Sequence, residues 1–215
     1  MPVDVKICGL NSPEAVDAAV EGGARYAGFV FYPPSPRNLT PDQAGPLAGR
    51  VPATVTRVGL FVDPTDAVLE QTLAKVTLDL IQLHGTESPA RVLQIKTRFE
   101  RPMMKAIRLA GAADLATADD YIGVADRLIF DALPPNEMVG ALPGGNALAF
   151  DWKLLGEAKI ALPWMLAGGL TAENLAEAAR ISHATTLDVS SGVEARPGVK
   201  SLSKIKAFLE AARRL

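Results

Sequence analysis

The sequence predicts an α/β fold, a (β/α)8 TIM barrel formed as a single domain over residues 1–215. Three observations predict it. Short apolar runs recur at intervals of roughly 20 to 30 residues, several nearly unbroken, such as GFVF, VGLFV and RLIF, as strands buried on both faces read. The intervals are too long for hairpins and suit crossover helices between parallel strands. The first strand-to-helix turn, CGLNSP, lacks GxGxxG, and GxxxxGK[ST] is absent, which weighs against an open nucleotide-binding sheet.

The predicted strands are Val3–Cys8, Tyr26–Phe31, Thr56–Val62, Leu78–Leu83, Met103–Ile107, Arg127–Phe130, Ile160–Ala167 and Thr185–Val189. Asn11–Gly22 reads as the first helix, with Ser12 as N-cap, Pro13 in the first turn, and Gly22–Gly23 as the stop. Helical patterns follow at Pro41–Ala48, at Thr65–Lys75 after Asp63-Pro64, and at Trp152–Glu157. Thr171 precedes a helix at Ala172–Arg180, and Leu202, Ile205, Phe208 and Leu209 form the stripe of the last one. Two strand-to-helix loops, residues 32–42 and 132–150, are long enough to read as lids or binding loops.

Hydrophobic residues make up 48% of the 215 and charged residues 21%, so a sizeable core is available and the composition argues against disorder. A formal charge of −2 leaves no electrostatic footprint for nucleic acid or an anionic membrane surface. No apolar run reaches the ~20 residues of a membrane span. One cysteine rules out an internal disulfide and a Cys-only zinc site, and two histidines argue against a His-rich metal centre. The N-terminus lacks the apolar stretch and cleavage pattern of a secretory signal, so a cytoplasmic setting is expected.

In such a barrel, catalytic groups come from the C-terminal ends of the strands. Cys8 ends the first strand and can serve as base or nucleophile, although a lone cysteine is more often inert packing. Lys6 shares its face, one layer deeper. Asp131 follows RLIF; an acid there is either a loop anchor or a general acid made effective by burial. His84, in IQLHG, reads as a base, a substrate contact or a tautomer-locked core group, and His183 belongs to the stability face. Gly168 and Gly169 in LAGGLTAEN, and Ser190, Ser191 and Gly192 in DVSSGVE, follow the seventh and eighth strands, the recurrent phosphate site of this architecture. Arg37, in the first long loop, suits a carboxylate or phosphate bidentately, against the alternative of a solvated loop residue. Trp152 reads as packing.

Taken together, KICGL at 6–10, GFVFYPPSPR at 28–37, RVGLFV at 57–62, QLHG at 82–85, FD at 130–131, PGG and FDW within 143–152, AGGL at 167–170 and DVSSGVE at 188–194 resemble the phosphoribosylanthranilate isomerase family of tryptophan biosynthesis. The order of the segments is preserved and they span nearly the whole chain. The resemblance implies a barrel with no metal and no organic cofactor. It implies an Amadori rearrangement of N-(5-phosphoribosyl)anthranilate, with Cys8 as general base and Asp131 as general acid. By the same resemblance Arg37 faces the anthranilate carboxylate, and His84, Gly168, Gly169, Asp188, Ser190, Ser191 and Gly192 belong to the substrate site. The family usually carries glycine where this chain has Ala147, which puts the lid contacts in question.

The partner expected is a small phosphosugar, with the chain a monomer or homodimer. Two other readings stand beside this one. The aminoaldose–aminoketose isomerase of histidine biosynthesis runs the same reaction on a bis-phosphorylated substrate; against it, GLFVDP at the third strand offers no second glycine pair and the first strand ends in Cys8 rather than aspartate. A non-catalytic phosphosugar-binding barrel needs the glycine loops but neither Cys8 nor Asp131.

Overall fold

Eight parallel strands pair in sequence order and close on themselves, β1 against β8. They are β1 (Asp4–Cys8), β2 (Tyr26–Phe31), β3 (Thr56–Phe61), β4 (Leu80–Leu83), β5 (Met103–Leu109), β6 (Arg127–Ala132), β7 (Trp164–Leu166) and β8 (Thr186–Val189). The computed structural model describes residues 3–134, 142–145 and 148–215; Ala147 lies outside them. Helices α1 (Pro13–Glu21), α2 (Pro41–Gly49), α3 (Asp66–Leu73), α4 (Pro89–Phe99), α5 (Ala112–Ala116), α6 (Lys153–Gly156), α7 (Leu175–Ser182) and α8 (Leu202–Ala212) ring the barrel. Among the described residues no helix is long and apolar enough to cross a membrane.

Local chemistry explains the helix starts. Ser12, Thr65, Ser88 and Ser201 each accept from a backbone N–H three residues on, and Thr40 with Gln43 forms a reciprocal capping box. Proline stands in the first turn of α1, α2 and α4, where its missing N–H has no bond to lose.

Two apolar cores result from the alternation of each strand. Outward residues such as Ile7, Phe29, Ile81 and Phe130 pack under the helices with Phe208 and Leu209 of α8. Inward residues Tyr26, Val58, Leu80, Met104, Ala106, Ile129, Met165 and Ala167 fill the barrel. Polar side chains take over the interior nearer the C-terminal ends, where Lys6 and Gln82 are fully buried. Lys6 and Asp188 are register partners across the seam between β1 and β8.

Three expectations need correction. The helix expected at Ala172–Arg180 starts at Leu175, because Asn174 closes a turn by accepting from the N–H of Thr171 and donating to the carbonyl of Gly169. The seventh strand spans Trp164–Leu166 instead of Ile160–Ala167; Pro163 enters the ladder only through its carbonyl, which accepts from Leu128. Between β8 and α8 the chain makes a 3-10 turn at Ser191–Val193 and then an antiparallel hairpin, β9 (Glu194–Arg196) with β10 (Val199–Lys200), that the strand pattern does not indicate.

Candidate active site

The C-terminal ends of the strands surround one cavity with about 670 Å³ of empty space, counted to its open mouth. Cys8, Arg37, His84, Asp131, Gly168, Gly169, Asp188, Ser190, Ser191 and Gly192 all line it, so every candidate site residue reaches the same space. Cys8 faces the cavity from β1 and Asp131 from β6, with β7 and β8 between them in the ring.

Asp131 is buried, and its Oδ1 accepts from the N–H of Ala132 at 2.8 Å. Its Oδ2 lies 3.4 Å from Nε2 of His84. The amide nitrogen of Gln82 stands 3.0 Å from Nδ1 of His84. An amide nitrogen only donates, so with the amide in this orientation Nδ1 accepts and the ring proton belongs on Nε2. That Nε2 is buried and has no hydrogen-bond partner among the described residues, an arrangement that favours a ligand contact. The loop after β6 descends onto this pair at Gly144. A Cβ there would fall 2.6 Å from Asp131 Oδ2 and 2.7 Å from His84 Nε2.

Gly168 and Gly169 have φ of +89° and +62°, where side chains are strained. Each approaches the backbone of Leu148 closely, so the pair seats the returning loop as well as opening its own N–H groups. Ser190 is less free than a phosphate donor should be. Its hydroxyl donates to the carbonyl of Cys8 at 3.1 Å and accepts from Lys200 at 3.3 Å.

Arg37 is buried, not solvated. Its bidentate edge is already occupied: Nε donates to Glu194 Oε1 at 2.7 Å and Nη2 to Glu194 Oε2 at 3.0 Å. Nη2 also meets the carbonyl of Gly145 at 3.3 Å. Among the described residues the two N–H groups on Nη1 have no partner, so that nitrogen is the part of the guanidinium open to a ligand. Lys200 donates to the same Glu194 at 2.9 Å and to the carbonyl of Ser190 at 2.8 Å. Burial pushes Glu194 up, but Arg37 and Lys200 together hold it below its ordinary value. Burial pushes Lys200 down, because a carboxylate already forked to Arg37 cannot fully offset the loss of water.

Burial also pushes the Cys8 thiol up, against the pull of Lys6. Lys6 bonds Asp188 Oδ1 at 2.8 Å. Burial alone would lower Lys6, yet Asp188 and Cys8 carry its ammonium above the ordinary value. Gln82, Glu194 and Lys200 are not legible in the sequence as site residues. Strand alternation offers one signal, since Gln82 is a polar residue two positions before His84 on the same inward face. Lys200 gives none, because it arrives by the hairpin.

A thiol and a carboxyl group face one cavity, beside an imidazole and glycine loops, at the C-terminal mouth of a (β/α)8 barrel of the isomerase class. The chain belongs to the N-(5'-phosphoribosyl)anthranilate (PRA) isomerase family, whose model matches residues 5–211. It is 57% identical over 213 residues to an N-(5'-phosphoribosyl)anthranilate isomerase of Paramagnetospirillum magneticum, covering 99% of this chain and 98% of that one. Among solved structures it resembles phosphoribosyl anthranilate isomerase of Thermotoga maritima, with a TM-score of 0.87 and 34% identity over 99% of this chain and all of that one. A phosphoribosyl anthranilate isomerase in complex with reduced 1-(o-carboxyphenylamino)-1-deoxyribulose 5-phosphate matches with a TM-score of 0.85 and 33% identity, over 99% and 100% of the two chains.

Proposed function

We propose that this isomerase converts N-(5'-phosphoribosyl)anthranilate to 1-(2-carboxyphenylamino)-1-deoxyribulose 5-phosphate, with Asp131 as general acid and Cys8 as general base. Asp131, protonated at the start, gives its proton to the furanose ring oxygen as the C1–O bond breaks. The anthranilate nitrogen supplies the electron pair, leaving a Schiff base at C1. Cys8, as thiolate, removes the proton from C2 to give an enolamine, which tautomerises to the ketone. Each positioned proton transfer is typically worth about 10² to 10⁴ in rate.

The observation that carries this reading is the placement of Cys8 and Asp131 on separate walls of one cavity. The backbone N–H groups around Gly169, Ser191 and Gly192 are the proposed phosphate contacts. Nη1 of Arg37 is the proposed contact for the anthranilate carboxylate, and the unpartnered Nε2–H of His84 for a substrate oxygen. Asp188 completes the substrate wall.

The test follows the fluorescence decay of the substrate, generated in situ, with wild type, Cys8→Ser and Asp131→Asn side by side. Fast wild-type turnover with both variants down at least about 10² supports paired acid–base catalysis. Absent wild-type turnover in a folded protein that binds the phosphosugar would sink the assigned reaction. Turnover that survives Cys8→Ser would move the base to another residue.

A further inference from the structure

Three lysines are buried among the described residues, and they are not alike. Lys105 reaches three acceptors: the carbonyls of Leu83 and Gly85 and the carboxylate of Glu87. Lys200 likewise reaches the carbonyl and hydroxyl of Ser190 and the carboxylate of Glu194. Lys6 is the most deeply buried, at 0% exposed, yet among the described residues it reaches one oxygen acceptor, Asp188 Oδ1, with the Cys8 sulfur as its second, weaker partner. An ammonium carries three protons, and burying it half-partnered costs free energy that a merely structural residue has no reason to impose.

What lies beside it is Cys8. Both side chains point inward from β1. A Cβ added to Gly28, the register partner of Cys8, would stand 3.3 Å from Cys8 Sγ and 3.3 Å from Lys6 Cε. The glycine therefore leaves one space that the thiol and the lysine stem share. The charges around Cys8 are few: Lys6 on its own strand, Asp188 on β8 and Lys200 on β10. β2 presents Gly28 and no charge, Arg37 beyond it is locked to Glu194, and His84 and Asp131 stand on the β4 and β6 walls.

We propose that Lys6 is a positioning residue that supplies the counter-charge for the Cys8 thiolate, and that Asp188 tethers the ammonium beneath the sulfur across the barrel seam. This deepens the reading of Cys8 as the base and rests on it. A thiolate formed in a dry cavity beside a bound phosphate is opposed by burial and by like charge, and a fixed cation offsets both.

The chain has one cysteine, so the rate of alkylation by iodoacetamide against pH titrates Cys8 alone. It is measured on wild type, Lys6→Met and the double variant Lys6→Gln/Asp188→Asn. The double variant removes both charges and leaves no unpaired buried carboxylate, so it remains the deciding comparison if Lys6→Met does not fold. The thiol midpoint is expected to rise by about one pH unit or more in Lys6→Met. It should also rise in the double variant, with the acidic limb of the kcat/KM profile moving upward in step. Midpoints unchanged in the folded variants, whatever happens to turnover, overturn the proposal. Cys8→Ser separates the two ideas. Wild-type turnover in that variant refutes Cys8 as base, whereas an inactive Cys8→Ser with unmoved midpoints refutes Lys6 alone.

Discussion

A methyl group added at Gly192 would meet the carbonyl oxygen of Leu170 at 1.9 Å, well inside contact distance. Both groups are backbone, so relief requires the loops after β7 and β8 to move apart. Those loops carry the N–H groups proposed to hold the phosphate. A misplacement of 1 Å can cost about 10² in rate, and Gly192→Ala is expected to lose about that much in kcat/KM, chiefly through KM. Steady-state kinetics check it, and a wild-type KM would show that the loops do not grip the substrate. Single residues are unevenly legible in the sequence. Cys8, Asp131 and His84 declare themselves by ending apolar strands. The pairings of Lys6 with Asp188 and of Arg37 with Glu194 do not, because each joins residues over 150 positions apart.

The hairpin of β9 and β10 is the element that fixes Arg37. Glu194 at its start holds the guanidinium edge-on, and Lys200 at its end returns to the same carboxylate and to Ser190. Glu194→Gln leaves two buried cations sharing a neutral amide. Breaking a buried pair on one side typically costs about 3–5 kcal/mol, and urea unfolding at pH 7 is expected to show a loss of that order. KM should rise as well, since Arg37 is then free to turn. The pH dependence follows from the direction of the shift. Glu194 is held below its ordinary 4.5 in the folded chain, so its contribution is complete above about pH 4.5 and is lost as pH falls through the lower folded value. The gap between wild type and Glu194→Gln should therefore narrow in urea melts taken below pH 4.5, and a gap independent of pH would refute the assignment. Pro197-Gly198 marks a turn in the sequence, but strands of only three and two residues carry too little alternation to show that the turn closes a hairpin. The start of α7 is ambiguous for a different reason: Thr171 and Asn174 are both good caps, and the local bonds of the Asn174 side chain to Thr171 and Gly169 choose between them.

The whole barrel is the most legible level, because a parallel strand covered on both faces has to be apolar along its length and so stands out from helices that are apolar on one stripe. Closure is not legible as such; it depends on β1 meeting β8, which no local pattern encodes. The closed ring divides the molecule along its axis. The cavity and the groups proposed for proton transfer sit at the C-terminal ends of the strands, while much of the apolar packing lies between strands and helices. Phe208 tests that division. It is fully buried on α8, which packs against α1 and β1 and so backs the seam of the ring, and it does not line the cavity. Phe208→Ala is expected to cost about 3–5 kcal/mol from lost burial and the cavity left behind. Urea unfolding should show a lower midpoint at unchanged slope. At 25 °C, where the variant remains folded, kcat and KM should stay at their wild-type values, because the deletion removes packing behind the strands without altering what their ends present. A loss of kcat in the folded variant would mean that α8 sets the geometry of Cys8 through β1, and that stability and catalysis in this barrel are not carried by separate faces.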